Sequence, residues 1–295
     1  MAPIVLFAYN RPWHTEQTLR SLANNQLANE CHLIAYIDGP KANATAEQKK
    51  KIDDVVSIVR EQKWCKSLQL HISESNKGLA NSLIHGVTHT LSRYDRVIVL
   101  EDDMILSPFF LQFMNDGLNK YQHEEDVISI HGYCVPIEYS MPIFFLRGAD
   151  CWGWATWKRG WKYFNANTEQ LLKHIVETNC QYDFDFYGNY PYVKMLEDQI
   201  KGKIDSWAIR WYASAYLQNK LTLYPGKSLV QNIGHDGSGT HQQSEIGSLA
   251  DVTKSPIFIS DIEIKESKES KALISRFYFK QLSARGKMKK WLKLG

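Results

Sequence analysis

The sequence contains no long apolar run. None of its segments approaches the roughly 18–20 uninterrupted apolar residues of a membrane-spanning helix. The N-terminal segment MAPIVLFAYNRP has no basic stretch ahead of its apolar residues, so we expect no signal peptide. The five cysteines are scattered and form no CxxC pair, which argues against a zinc site and a disulfide framework. These features predict a cytoplasmic protein.

The chain also has little net charge. A formal charge of +3 over 295 residues is too small to indicate a nucleic-acid partner. A composition of 44% hydrophobic and 23% charged residues is ordinary for a folded globular protein. Because there is no internal repeat and no low-complexity linker, we expect one domain over residues 1–245. It comprises a first half, 1–125, and a second half, 126–245, and a C-terminal appendage follows at 246–295.

Strand and helix patterns alternate in the first half. Apolar runs predict strands at residues 4–9, 32–37, 68–72 and 96–100. Helical spacing of apolar residues predicts helices at residues 15–23, 46–61, 78–91 and 108–121. The second half is less regular, with predicted strands at 127–130, 143–146 and 221–224 and mainly helices over 165–219. Alternation of this kind is typical of an α/β fold whose parallel sheet is covered by helices.

Three consecutive acids, Glu101, Asp102 and Asp103, follow the apolar run VIVL. Ligands of open parallel sheets bind at the carboxyl ends of the strands, where these acids are expected to lie. Neighbouring carboxylates repel one another, so a cation is expected beside them. Mg²⁺ and Mn²⁺ prefer such oxygen ligands and bind through one or two carboxylates plus substrate phosphates. The alternative is a solvated strand end without a ligand.

Three segments resemble a known family. VIVLEDDMILSPFFLQFM is similar to the metal-motif region of N-acetylglucosaminyltransferase I, and PIVLFAYNRPWHTEQTLRSL to the first strand and helix of that family. NKGLANSLIHGV resembles a helix start in family 2 inverting glycosyltransferases. The resemblance covers residues 3–120 well and 145–245 more loosely. It implies the A-type glycosyltransferase fold (GT-A), with a Rossmann-like, mostly parallel central sheet flanked by helices and a helical acceptor-side half.

The resemblance also implies a function. The chain would be a metal-dependent, inverting glycosyltransferase with a DXD-type metal motif and a nucleotide-sugar donor, expected to be a UDP-sugar. The acceptor would be a glycan or a lipid-linked saccharide in surface polysaccharide or glycoconjugate synthesis. A nucleotidyltransferase is an alternative, although AYNRPWHT lacks the glycine-rich loop usual after the first strand of such enzymes. A non-catalytic glycan-binding protein of the same fold is another.

Residue roles follow from the same resemblance. Asp103 would be the direct metal ligand, Asp102 would contact the ribose or the metal's surroundings, and Glu101 would bind the donor-sugar hydroxyls. Three further residues would line the nucleotide site: Arg11, Asp38 and Asn81. Asp38 would accept a hydrogen bond from a uracil-type base, although an IDGP segment also suits a turn by itself. Arg11 could instead cap a helix or pair with a surface acid.

An inverting transfer requires a general base near the acceptor hydroxyl. The second half offers four candidates: Asp150, Glu197, Asp198 and Asp205. The resembled family has its base in an acidic segment that ends in a tryptophan, with an arginine shortly after. IDSWAIRW fits with Asp205, although its arginine comes one position later and Ser206 replaces a second acid. We favour Asp205 over Asp198 of MLEDQ, and either could simply cap a helix.

Aromatic residues and two loops complete the set of candidates. Trp152, Trp154 and Trp207 are predicted sugar-stacking platforms, with ordinary core packing as the alternative. The glycine-rich NIGHDGSGTH has the composition of a lid, in which His235 or His241 would reach the diphosphate or the metal. The basic C-terminal ARGKMKKWLKLG predicts peripheral contact with an anionic membrane, with about 1 kcal/mol per basic residue. A solvated helix end is the alternative.

Overall fold

The computed structural model describes residues 1–237 and 250–291, and in these ranges a single large sheet forms the centre of the molecule. Its strands are β1 (Ile4–Ala8), β2 (His32–Ile37), β3 (Ser67–Ile72), β4 (Arg96–Glu101), β6 (Val127–His131), β7 (Ile143–Arg147), β8 (Trp154–Trp157) and β9 (Leu221–Pro225). Two short strands, β5 (Met104–Leu106) and β10 (Val230–Asn232), form a separate antiparallel pair.

Helices cover both faces of this sheet. They are α1 (Pro12–Ala23), α2 (Ala46–Glu61), α3 (Leu79–Arg93), α4 (Phe110–Lys120), α5 (Lys158–Trp161), α6 (Thr168–Glu177), α7 (Gln181–Phe184), α8 (Tyr192–Ile200), α9 (Trp207–Leu217) and α10 (Lys268–Trp291). A short 3₁₀ turn, Ala28–Glu30, precedes β2. Within the described ranges, no helix is both long enough and apolar enough to cross a bilayer.

The strand order is β3-β2-β1-β4-β8-β6-β9-β7. The first four strands are parallel, and so are β6 and β9, whereas β8 and β7 run antiparallel to their neighbours. The predicted α/β fold, with a mostly parallel central sheet flanked by helices, is confirmed. β1 is buried along its whole length, as expected for a central parallel strand with helices on both faces.

Local sequence explains where the helices begin. Thr45 and Gln48 form a reciprocal capping box, and α2 spans the predicted range because Ile52, Val55 and Val59 lie on its buried face. Helix α1 begins at Pro12, earlier than predicted, because proline lacks the N–H that the first turn leaves unpaired. The short strands β5, β8 and β10 were not predicted, since runs this short have no decisive periodicity.

The described part of the C-terminal segment, predicted as an appendage at 246–295, packs onto the core. Lys271 of α10 is buried, with its ammonium 2.8 Å from the Asp183 carboxylate. The backbone N–H of Ser267 donates to the carbonyl of Phe145 in β7 at 2.8 Å. Ile274 is also buried against the core. Removing this segment would expose apolar surface and take one of two cations, Lys271 and Arg147, away from the Asp183 carboxylate.

Candidate active site at the carboxyl ends of the strands

Arg11 and the acids after β4 meet at the carboxyl edge of the sheet. The Arg11 guanidinium pairs with the Asp102 carboxylate and donates to Oδ2 of Asp103 at 3.0 Å. Thr18 of α1 fixes this arrangement, because its hydroxyl donates to the Asp102 carbonyl at 2.8 Å. Burial alone would lower the pKa of Arg11, but the charges of Asp102 and Asp103 outweigh it and raise that pKa. The guanidinium therefore stays charged and offsets part of the acidic cluster.

Asp103 lies between the Arg11 pair and the turn after β10. Its carbonyl accepts the Ile233 N–H at 2.9 Å, which ties that turn to the acids. Its Oδ1 atom is buried and has no hydrogen-bond partner in the structure. Gly234 packs directly on the carboxylate, where a larger residue would not fit. A buried carboxylate oxygen without a donor is unusual and suits a bound cation.

Glu101 ends β4 and faces α9. Burial and the negative charge of Asp103 raise the pKa of Glu101 to about 8, against the opposing effect of Arg11 and a hydrogen bond from Trp207. Burial also raises the pKa of Asp102, although Arg11 opposes that shift. The acids therefore sit where negative charge is costly and where an added cation would stabilise it.

Asp38 accepts several hydrogen bonds within the turn between β3 and α3, and its contact with a nucleotide base stays a prediction. Its two oxygens accept hydrogen bonds from the backbone N–H groups of Gly39, Lys77 and Gly78 and from the Asn76 side chain, at 2.9–3.1 Å. A carboxylate has about four lone-pair sites, so these four donors occupy them. Asp38 thus braces the turn that leads into α3.

Asn81 lies on the exposed first turn of α3. Its side chain donates to the Lys77 carbonyl at 3.0 Å, which continues the turn held by Asp38. The position of Asn81 at the carboxyl end of β3 agrees with the predicted edge of the sheet. No contact in the described residues joins it to the acids after β4, so its role at a nucleotide site stays a prediction.

Asp205 and Asp198 differ in their surroundings. Asp205 immediately precedes Ser206, whose hydroxyl caps α9, and its side chain is 58% exposed with Arg210 at 3.0 Å. Trp207, the first residue of α9, donates a side-chain hydrogen bond to Glu101, which joins the start of α9 to the acids. Asp198 pairs with Lys194 and Lys203, and the hydrogen bond from Lys194 lowers its pKa. The two lysines therefore favour the ionised carboxylate of Asp198.

The tryptophans divide into two groups. Trp154 is 0% exposed and stacks on Trp207, 3% exposed, with ring centroids 5.4 Å apart. Trp161 and Trp211 complete this buried cluster. Neither Trp154 nor Trp207 offers a face to a sugar, which corrects their prediction as stacking platforms. Trp152 is only half-buried and keeps an accessible surface.

His235 follows Gly234 and therefore lies beside the acids. Its ring contacts the edge of Trp152 with centroids 5.7 Å apart. His14 of α1 pairs with Asp236 at 3.1 Å, so the turn after β10 contacts both α1 and the loop that precedes β8. A nucleotide or metal contact by His235 stays a prediction. His241 and most of the proposed lid lie outside the described residues.

Sequence reasoning missed His131 and the role of Gly234, and considered Asp150 only as a base. His131 ends β6, and its Nδ1 lies 3.8 Å from the Asp150 carboxylate. Burial lowers the pKa of His131, so the imidazole is neutral at pH 7. No local signal marks His131, because its partner belongs to a loop that follows a different strand. Gly234 could have been noticed inside NIGHDG.

The carboxylate oxygens of Asp103 and Asp102 fit a divalent cation whose remaining coordination positions are filled by a bound ligand. In the described residues, no three His, Cys, Asp or Glu side chains form a ready metal cluster. Asp103 offers a buried, unpaired oxygen, and Asp102 lies next to it. Mg²⁺ and Mn²⁺ sites of this kind use one or two carboxylates and take their remaining ligands from water and phosphate.

The fold has loose likenesses among solved structures. Residues 1–349 of TarS from S. aureus match over 78% of this chain and 60% of that structure, at 16% identity and a TM-score of 0.43. A longer TarS structure matches over 78% of this chain and 36% of its own length, at 13% identity and a TM-score of 0.42. UDP-glucose pyrophosphorylase with bound UDP-glucose matches over 76% of this chain and 90% of that structure, at 11% identity and a TM-score of 0.36. This chain thus spans less than two thirds of the TarS structures it matches. No family model matches it, and neither does any curated protein.

Proposed function

We propose that this protein is a glycosyltransferase that transfers a sugar from a nucleotide-sugar donor, in the first instance a UDP-sugar, with the help of Mn²⁺ or Mg²⁺. The observation that supports this most is the buried, unpaired Oδ1 of Asp103 at the carboxyl edge of the sheet. That edge is where α/β folds bind nucleotides. The adjacent Arg11 limits the repulsion among the acids without filling the remaining oxygen.

The proposed mechanism assigns one task to each residue. Asp103 would hold the metal ion, which would supply positive charge to neutralise the diphosphate leaving group. Glu101 binds donor-sugar hydroxyls, and Arg11 keeps Asp102 and Asp103 in place. Asp205 takes the proton of the acceptor hydroxyl as its oxygen attacks the anomeric carbon.

Inversion is part of the proposal. The metal ligand Asp103 and the base Asp205 belong to separate segments, the carboxyl end of β4 and the start of α9. A single displacement requires a base on the side of the sugar opposite the leaving group. An α-linked UDP-sugar would therefore give a β-linked product, which the anomeric proton coupling in an NMR spectrum reports. An α-linked product would contradict the assignment of Asp205 as the base but would not affect the assignment of Asp103 as the metal ligand.

The central experiment screens nucleotide sugars for hydrolysis and thermal stabilisation, with and without Mn²⁺. The variant Asp103→Asn keeps the shape of the side chain and weakens its hold on a cation. The matched control is Asp126→Asn, since Asp126 is an exposed acid paired with Lys220. We expect Mn²⁺-dependent UDP binding to be lost in Asp103→Asn alone. Unchanged binding in a folded Asp103→Asn protein would contradict the metal assignment.

The wider setting is also proposed. The acceptor would be a glycan or a lipid-linked saccharide, and the enzyme would act in the cytoplasm during polysaccharide or glycoconjugate synthesis. Peripheral contact with an anionic membrane through the basic C-terminus would bring it to a lipid-linked acceptor. The side chains of that segment lie outside the described residues.

A further inference from the structure

The loop between β7 and β8 is held rigidly at both ends. Gly148 has φ +101° with the Tyr212 ring against it, and Gly153 has φ +61° with Val230 against it. Positive φ and these close approaches suit glycine alone. The Gly148 carbonyl also accepts the Thr222 hydroxyl at 2.7 Å. The intervening residues are therefore presented in a fixed conformation.

His131 anchors the middle of this loop. The Trp152 N–H donates to Nε2 of His131 at 3.2 Å, so the proton of the neutral imidazole is on Nδ1. That Nδ1 is buried and has no hydrogen-bond partner, and His131 is 0% exposed. It points at the Asp150 carboxylate from 3.8 Å, which is too far for a hydrogen bond.

Asp150 is only partly satisfied by the protein. Its Oδ1 accepts the Cys151 N–H at 2.8 Å, and Tyr224 donates to Oδ2 at 3.4 Å, a long contact. The side chain is 34% exposed, so lone pairs of the carboxylate remain open to solvent. The half-buried Trp152 follows two residues later, and its ring lies edge-on to that of Tyr133 with centroids 4.7 Å apart. A carboxylate next to an accessible indole is the chemistry that binds sugar hydroxyls and a sugar face.

The loop adjoins the acids after β4. Trp152 contacts His235, and the preceding Gly234 packs on Asp103. Burial raises the pKa of the Cys151 thiol, and the nearby charges of Asp150, Glu101 and Asp103 raise it further. Asp150 therefore lies on the β7–β8 side of the acidic cluster, away from strands β1 to β3.

We propose that Asp150, His131, Tyr224 and Trp152 form a subsite for the acceptor saccharide. Asp150 accepts hydrogen bonds from two neighbouring sugar hydroxyls, and Trp152 packs on the sugar face. His131 is a positioning residue that fixes the loop through Trp152 and directs its Nδ1–H towards Asp150. The role as acceptor site rests on the proposed glycosyltransferase function, whereas saccharide binding itself does not.

The test measures saccharide binding directly. A panel of methyl glycosides of glucose, galactose, rhamnose, N-acetylglucosamine and N-acetylgalactosamine is screened by saturation-transfer NMR in the presence of UDP and Mn²⁺. Asp150→Asn keeps the acceptor for the Cys151 N–H and removes the charge, and Asp126→Asn is the matched control. We expect Asp150→Asn to weaken glycoside binding at least about tenfold, with unchanged UDP affinity. Tyr224→Phe, which keeps the ring, provides a second variant should Asp150→Asn fail to fold.

The outcomes separate the two proposals. Glycoside binding that depends on Asp150 in a protein that binds no UDP would refute the proposed function and support the subsite. UDP binding together with equal glycoside affinities in Asp150→Asn and Asp126→Asn would overturn the subsite and leave the proposed function. A wild-type protein that binds UDP but no glycoside of the panel would also overturn the subsite.

Discussion

Gly234 lies so close to Asp103 that a Cβ atom at position 234 would fall 2.1 Å from Oδ2 of Asp103 and 3.0 Å from the Arg11 guanidinium. No ordinary contact is that short, so Gly234→Ala must displace the carboxylate. We expect Mn²⁺-dependent UDP affinity to fall about 10- to 100-fold, as for other changes beside metal ligands. Calorimetric titration of UDP with and without Mn²⁺ measures this.

The control for that substitution is Gly202→Ala. Gly202 has φ +66° in open space, so alanine there is strained without touching any side chain. It should lower the free energy of unfolding by about 1 kcal/mol and leave UDP affinity unchanged. Equal losses of affinity in both variants would mean that general destabilisation, and not the displaced Asp103, is responsible.

Arg11→Gln removes the cation that compensates Asp102 and Asp103. Breaking a largely buried ion pair costs about 3 kcal/mol or more, so the melting temperature in EDTA should fall clearly. Mn²⁺ should then raise the melting temperature more in the variant than in the wild type, because it supplies the missing positive charge. Arg20→Gln, which breaks an exposed pair with Glu16, serves as the control. An identical Mn²⁺ effect in wild type and Arg11→Gln would argue against a cation site at these acids.

Asp205→Asn should preserve donor binding and reduce transfer at least about 100-fold, the low end of general base catalysis. Asp198→Asn should have little effect, since Lys194 and Lys203 hold the Asp198 carboxylate in its weakly basic, ionised form. Single-turnover kinetics separate the chemical step from binding. If Asp198→Asn abolishes transfer and Asp205→Asn retains it, the assignment of the base is reversed.

Asp185, which lies outside the candidate active site, should make the stability of the protein depend on pH. Burial raises its pKa to about 6, although backbone N–H groups of Val193 and Tyr192 donate to it. In the unfolded chain the pKa of Asp185 is about 3.9. Between about pH 4 and 6 the folded state therefore binds a proton that the unfolded state releases. The stability that this proton contributes is lost as the pH rises from about 4 through 6. Asp185→Asn retains an acceptor for Val193 and should be more stable than wild type at pH 7.5. Urea unfolding should show that the difference shrinks towards pH 4; a difference independent of pH would contradict the prediction.

The basic C-terminal segment can be tested without shortening α10. Replacing Arg285, Lys287, Lys289, Lys290 and Lys293 by glutamine keeps the chain length and removes five positive charges. Each contributes about 1 kcal/mol near an anionic surface, so sedimentation with phosphatidylserine vesicles should drop sharply while donor hydrolysis stays the same. Equal vesicle binding by the variant and the wild type would show that this segment is a solvated end.

The first half of the sheet could be predicted from local sequence alone. The runs that became β1, β2 and β4 are continuously apolar because helices cover both faces, and that burial is visible in the residues themselves. The helix at Ala46–Glu61 was predictable to the residue from its cap and its periodic apolar face. The acids after β4 could be placed on the carboxyl edge because a parallel sheet aligns its strand ends.

The contacts between distant segments could not be predicted from the sequence. Asp103 and Gly234 are brought together by the pairing of β5 with β10, and His131 and Asp150 by the insertion of β8 between β4 and β6. No local periodicity encodes such pairings. Burial likewise assigned Trp154 to the core and left Trp152 accessible, although the two residues share the same short, aromatic segment. The exposure of a side chain depends on which residues from distant parts of the chain pack against it, whereas a local sequence pattern contains only the residues adjacent to it in the chain.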